Sequence, residues 1–298
     1  LRFGQLPPER AGQNVVVAIL DTGVDLTHPS LKSKIWVNHG EIAGNQIDDD
    51  GNGYIDDVNG YNFVNKNASP QDVGGHGTHV AGLVGADANT INNFQGMAPG
   101  VTLMPVRIIE PANRDTFLSD TALAIRYAVD NGAHILSNSW RVYRSWGYGT
   151  TPENVAILKA AISYAGDHGA IFVAAAGNEG QNIDTADIYP AGLTDLSNLL
   201  VVASSDQANA PSSFTNYGKE KVAVAAPGTE ILSTRNGGGW VVKSGTSMAT
   251  PIVSGILARA VSGGITPLEA LERVKATSVM APGWETRVST GLVKPVDL

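Results

Sequence analysis

Four short stretches of this 298-residue chain hold the residue types that acyl-transfer chemistry needs. Gly245-Thr246-Ser247-Met248-Ala249-Thr250-Pro251 places a serine after a glycine and directly before an apolar helical run, residues 252–260. A strand-to-helix turn of this kind presents one hydroxyl at a helix N-terminus. There, free backbone N–H groups and the positive end of the dipole favour developing negative charge. A serine alone means little, because most serines are solvated or cap helices. The company upstream changes that: Ala18-Ile19-Leu20-Asp21-Thr22-Gly23, Gly74-Gly75-His76-Gly77-Thr78-His79-Val80-Ala81-Gly82, and Ala174-Ala175-Ala176-Gly177-Asn178-Glu179-Gly180. Serine can attack, histidine can take its proton near neutral pH, and a carboxylate can hold the imidazole tautomer. Asp-His-Ser is one of the chain orders in which such triads occur.

The four stretches resemble the subtilisin-like serine proteases, the subtilases, over residues 15–260. The resemblance implies a serine endopeptidase acting on proteins or peptides. Ser247 is then the nucleophile, His76 the general base, Asp21 its partner, and Asn178 the donor to the oxyanion beside the Ser247 N–H. It also implies that extended peptide binds against segments matching 114–118 and 139–141, so Thr116, Phe117, Ser139, Trp140, Arg141, Ala175 and Gly177 are candidate substrate contacts. Subtilases usually carry glycine where Arg141 stands. With Arg144, Trp140, Tyr143 and Trp146 nearby, a bulky, cationic rim and a narrowed or acid-tolerant pocket are expected. Two other activities share these motifs: a peptide ligase, which needs a lid that excludes water, and a calcium-binding protein whose groove has lost catalysis.

Between the Asp and His motifs lies Asp48-Asp49-Asp50-Gly51-Asn52-Gly53-Tyr54-Ile55-Asp56-Asp57. It matches the first half of an EF-hand loop, but Asn59 stands where the closing bidentate glutamate belongs. Five carboxylates within ten residues repel one another without a cation. Hard oxygens at alternate positions suit Ca²⁺, and several subtilases hold calcium on a similar segment. The expected ligands are Asp48, Asp50, Asn52, the Tyr54 carbonyl and Asp57, with Asp56 as the alternative to Asp57. The turn His28-Pro29-Ser30 lacks the aspartate that many subtilases use for another calcium site.

The elements that must position these groups alternate. Residues 14–20 are a continuous apolar run rich in β-branched valine, as a strand buried on both faces requires, and residues 101–109, 133–139, 171–176, 199–204 and 221–225 read as further strands. Helical patterns cover residues 78–86, 120–131, 152–168, 252–260 and 266–277. Residues 240–243 lead into the nucleophile. Such alternation predicts an α/β fold: three layers, a doubly wound, mainly parallel sheet with helices on both faces, in one domain. Asp21 then stands at the C-terminal end of a strand, the edge where open parallel sheets bind ligands.

With 20 Lys and Arg against 28 Asp and Glu, the chain is acidic, which argues against nucleic acid. No run approaches the ~18 apolar residues of a membrane helix. Zero cysteines exclude disulfides and thiolate zinc sites. The start, Leu1-Arg2-Phe3-Gly4, reads as a trimmed product. The resemblance implies a secreted, extracellular monomer, made with a signal peptide and an inhibitory pro-segment.

Overall fold

The computed structural model describes residues 11–88, 94–110, 118–146 and 149–294. In chain order its elements are β1 (Val16–Asp21), β2 (Tyr61–Asn62), α1 (His76–Gly85), β3 (Thr102–Arg107), α2 (Leu118–Asp130) and β4 (Ile135–Asn138). There follow β5 (Val142–Tyr143), α3 (Pro152–Asp167), β6 (Ile171–Ala175), β7 (Ile188–Tyr189), β8 (Leu199–Ser205) and β9 (Val224–Pro227). The chain closes with β10 (Ile231–Thr234), β11 (Trp240–Lys243), α4 (Thr246–Ser262), α5 (Pro267–Thr277) and β12 (Gly291–Leu292).

Eight strands form one sheet in the order β12-β9-β8-β6-β4-β1-β3-β2, with every pairing parallel. Side chains alternate along each strand, so one strand feeds two cores. Val17 and Ile19 of β1 join α1, α4 and α5 on one face. Ala18 and Leu20 join α2 and α3 on the other. The result is the three-layer, doubly wound α/β arrangement that the alternating pattern predicts. From β1 the chain first adds β3 on one side, then β4 and its successors on the other. That reversal lies between β1 and β4, and their C-terminal ends carry Asp21 and Ser139.

Residues 240–243 are a strand, and β11 pairs antiparallel with β10 in a separate hairpin, Thr234 against Trp240. The apolar run 252–260 lies inside the longer α4, which begins at Thr246 and so places Ser247 in its first turn. Pro251 sits inside it without breaking it. The N–H that proline lacks would have donated to the Ser247 carbonyl, four residues back. The Ser139 hydroxyl donates to that carbonyl instead, at 3.0 Å. Among the described residues, no single helix is long and apolar enough to cross a membrane.

Candidate active site

Asp21 ends β1 with its side chain fully buried, and His76 opens α1. The imidazole Nδ1 lies 2.8 Å and 2.9 Å from the two Asp21 carboxylate oxygens. A carboxylate only accepts, so Nδ1 carries the proton and Nε2 keeps its lone pair. Burial by itself lowers the His76 pKa. The charge and hydrogen bond of Asp21 outweigh this and leave it raised above 6.5, while the Lys243 ammonium opposes the rise. Lys243 comes from β11, and its Nζ donates to the Gly75 carbonyl at 2.7 Å.

Two glycines make the His76 position possible. Gly75 holds φ +69°, a left-handed conformation that costs glycine least. A Cβ on Gly77 would stand 2.0 Å from the Gly23 carbonyl oxygen, so α1 approaches the end of β1 at bare-backbone distance. Gly75 offers no side chain to cap the helix, and Asp72 does so from outside. It accepts from the N–H groups of Gly74 and Gly75 at 2.8 Å and of Thr78 at 2.9 Å. The Thr22 hydroxyl also donates to it, at 2.8 Å, and itself accepts from the Gly77 N–H. Asp72 is a structural member of the site that the sequence analysis did not single out. Its signal was an aspartate just before a glycine pair at a helix start.

Ser247 is the second residue of α4, where its N–H has no partner within the helix. Its hydroxyl donates to the Ser139 carbonyl at 3.1 Å, and it forms no hydrogen bond with His76 among the described residues. Ser139 follows β4 and Asp21 ends β1, its neighbour, so the serine and the Asp–His pair share one sheet edge. Asn178 reaches the same helix end. Its Oδ1 accepts from the Thr246 N–H at 2.9 Å and the Thr246 hydroxyl at 3.0 Å. A Cβ built on Gly245 would meet Asn178 Nδ2 at 3.4 Å and the Ser247 nitrogen at 3.6 Å. Asn178 Oδ1 lies 3.7 Å from the same point, so a side chain here would crowd the Asn178 amide and the start of α4. Gly245 itself, at φ +154° and ψ +162°, occupies a region that side chains avoid.

The candidate substrate contacts divide. Thr116 and Phe117 lie outside the described residues. Ser139 and Gly177 line the two chain segments that flank Ser247. Ala175 is buried within β6. Trp140 is not a rim residue: it is 5% exposed, packs in the α2–α3 core and donates from Nε1 to Asn138 Oδ1. Tyr143 is buried as well. Arg141 is not a free charge, since its Nε donates to Glu179 Oε1 at 2.8 Å. Arg144 faces Asp187 at 3.5 Å. Of the expected rim, Trp140 and Tyr143 are thus folded inward and Arg141 is paired, while Arg144 stays exposed; the side chain of Trp146 lies outside the described residues.

In the acidic loop, Asp50, Asp57 and Glu41 bring carboxylate oxygens within 4.8 Å of one another. Asp57 is fully buried, and burial raises its pKa despite hydrogen bonds from Tyr127, Asn38 and Asn52. Hard oxygen donors of this charge, one of them desolvated, suit a divalent cation such as Ca²⁺. Glu41 was missed because it lies outside the aspartate run. Asn52 adjoins the group, donating to Asp50 and Asp57. Tyr54 lies in the same loop, its N–H on Asn52 Oδ1. Asp48 does not belong to the three-carboxylate group: its oxygens accept from the N–H groups of Asn52 and Gly53. Asp56 folds the opposite arm, accepting from Gly44, Asn45 and Gln46.

A parallel α/β sheet whose C-terminal edge brings together an Asp–His pair, a serine in the first turn of a helix and an asparagine pinned to the same helix end suits a serine hydrolase. The sequence matches the subtilase family, peptidase family S8, over residues 12–287, and the chain belongs to that family. It is 35% identical over 277 residues to the thermophilic serine proteinase of Bacillus sp. strain AK1, covering 93% of this chain and 59% of that protein. It is 37% identical over 253 residues to thermitase of Thermoactinomyces vulgaris, covering 85% of this chain and 77% of that one. The crystal structure of a cold-adapted subtilisin-like serine proteinase superposes with a TM-score of 0.73 at 26% identity, covering 95% of this chain and 89% of that one.

Proposed function

We propose that this chain is a serine endopeptidase that hydrolyses peptide bonds in proteins. The placement of Ser247 in the first turn of α4, with Asn178 pinned to the same helix end and His76 tied to Asp21 at the same sheet edge, carries the reading. The Ser247 hydroxyl swings from the Ser139 carbonyl to His76 Nε2. Its oxygen bonds to the peptide carbonyl carbon while its proton passes to Nε2. The developing oxyanion takes hydrogen bonds from Asn178 and the Ser247 N–H. The C–N bond then breaks, and the amine leaves with the proton from Nε2. Water repeats the sequence on the acyl-enzyme, with His76 again as base. Asp21 stays ionised and stabilises the imidazolium.

Asp50, Asp57 and Glu41, with Asn52 and the Tyr54 carbonyl, would hold calcium. The cation would tie down the excursion between β1 and α1 and take no part in bond cleavage. Secretion, maturation by loss of an inhibitory pro-segment, and action as a monomer extend the same reading. The decisive experiment is digestion of a diverse peptide library, read by mass spectrometry, with Ser247→Ala beside the wild type. Cleavage that survives Ser247→Ala would overturn the assignment.

A further inference from the structure

Strands β4 and β6 run side by side, Asn138 level with Ala174. Beyond the sheet their continuations flank a gap, Ser139–Arg141 on one side and Ala176–Asn178 on the other. Ser247 sits across its mouth, hydrogen-bonded to Ser139, while Asn178 is pinned to Thr246. On the peptidase reading, an acyl group on Ser247 Oγ would send the side chain of its own residue between these two segments. That residue is the one on the N-terminal side of the cleaved bond.

The gap is already occupied. The Arg141 stem lies against Gly177, where a Cβ would come within 2.9 Å of Arg141 Cδ. Its guanidinium grips Glu179 through both Nε and Nη2. Glu179 is held in turn by the Tyr143 hydroxyl, by Asn216 Nδ2 at 2.8 Å and by the Asn178 N–H at 2.9 Å. Burial alone would raise the Glu179 pKa, yet these bonds, Arg141 first, lower it. The carboxylate is thus ionised and the arginine fully matched.

We propose that Arg141, clamped by Glu179, is a stopper that restricts the residue before the cleaved bond to glycine, alanine or serine. The assignment rests on the peptidase reading above. A methyl or hydroxymethyl group fits over the arginine stem. A large apolar side chain would have to expel Arg141 and strand a partly buried carboxylate without its cation. An acidic side chain would meet a guanidinium already neutralised and a fixed negative partner behind it.

The test is a peptide series varied at that one position, with kcat/KM measured for wild type, Arg141→Gly and Arg141→Met. Wild type is expected to prefer alanine over phenylalanine or leucine by about tenfold or more, since even one methylene in a pocket is worth roughly 10–200-fold. Arg141→Gly is expected to erase or invert that ratio. Arg141→Met, which keeps much of the bulk but loses the clamp, is expected to relax it part of the way. Wild-type cleavage after bulky residues, or an unchanged ratio in Arg141→Gly, overturns the stopper. A wild-type preference for acidic residues that vanishes in both variants also overturns it, because Arg141 would then be a binding charge. A wild type as inert as Ser247→Ala across the series overturns the peptidase reading and the stopper together, whereas the other failures leave the peptidase reading standing.

Discussion

His79, three residues after the candidate base, gives a sharp test of how the hairpin beneath the site is held. Its side chain is fully buried on α1, and its Nε2 faces the carbonyls of Ile231 at 3.1 Å and Val241 at 3.2 Å. Carbonyls only accept, so the neutral ring carries its proton on Nε2 and straps both strands of the β10–β11 hairpin to the helix. Nδ1 is buried without a partner. Charging the ring would put a second proton where nothing accepts it. Burial, then the neighbouring Lys243, push the His79 pKa down from 6.5 to about 4. The unfolded chain takes up a proton near pH 6.5 and the folded one does not, so stability falls as pH falls between those values. The loss amounts to about 2 kcal/mol between pH 7 and pH 5 and about 3 kcal/mol by pH 4, at about 1.36 kcal/mol per pH unit. The assay is urea unfolding from pH 7 to pH 4 in a Ser247→Ala background, which prevents autolysis, with and without His79→Gln. Glutamine keeps an N–H donor and cannot titrate. The wild-type slope should exceed that of His79→Gln by most of this amount. Parallel slopes would refute the reasoning, showing that His79 accepts its proton in place.

Other consequences concern the site directly. His76 must be neutral to act as base, so kcat/KM should fall on the acid side with an apparent pKa above 6.5. Lys243→Met should move that limb to higher pH, and a limb that stays or moves down would contradict the opposing charge. Asp21→Asn presents an amide N–H to Nδ1 and reverses the imidazole tautomer; kcat near neutrality should drop by about 10⁴-fold. Near-normal turnover in that variant would remove Asp21 from the mechanism. Gly77→Ala drives a methyl into the Gly23 carbonyl, and should cost about 1–3 kcal/mol in urea unfolding along with most of the activity. If it folds and cleaves normally, α1 does not approach β1 as closely as described. Calcium chelation should lower Tm and speed autolysis, since a ligand at 100 times its Kd adds about 2.7 kcal/mol. Glu41→Gln should weaken that dependence, and a calcium response identical to wild type would exclude Glu41 from the site.

Local signals made much of the molecule readable in one dimension. Apolar β-branched runs at 14–20 and 171–176 specify buried parallel strands, because burial on both faces leaves no polar alternation. Gly74 to Gly82 marks a helix start, since glycine's freedom is needed where a backbone turns at close quarters. The type of chemistry follows from side-chain identity at Asp21, His76, Asn178 and Ser247, which needs no fold to be recognised. Long-range matching was not readable. Whether 240–243 joins the main sheet depends on which strand edge is free. Nothing in Glu41 announces that it closes on Asp50 and Asp57, because the loop brings them together only when folded. Arg141 reads as an exposed cation until Glu179, 38 residues on, swings under it, and Trp140 reads as a rim aromatic until α2 and α3 bury it. Residue types and short-range spacing set the elements and the available chemistry, because propensity and turn geometry act within a few residues. The company each charged group keeps was decided only in three dimensions, because pairing energies depend on distance and desolvation.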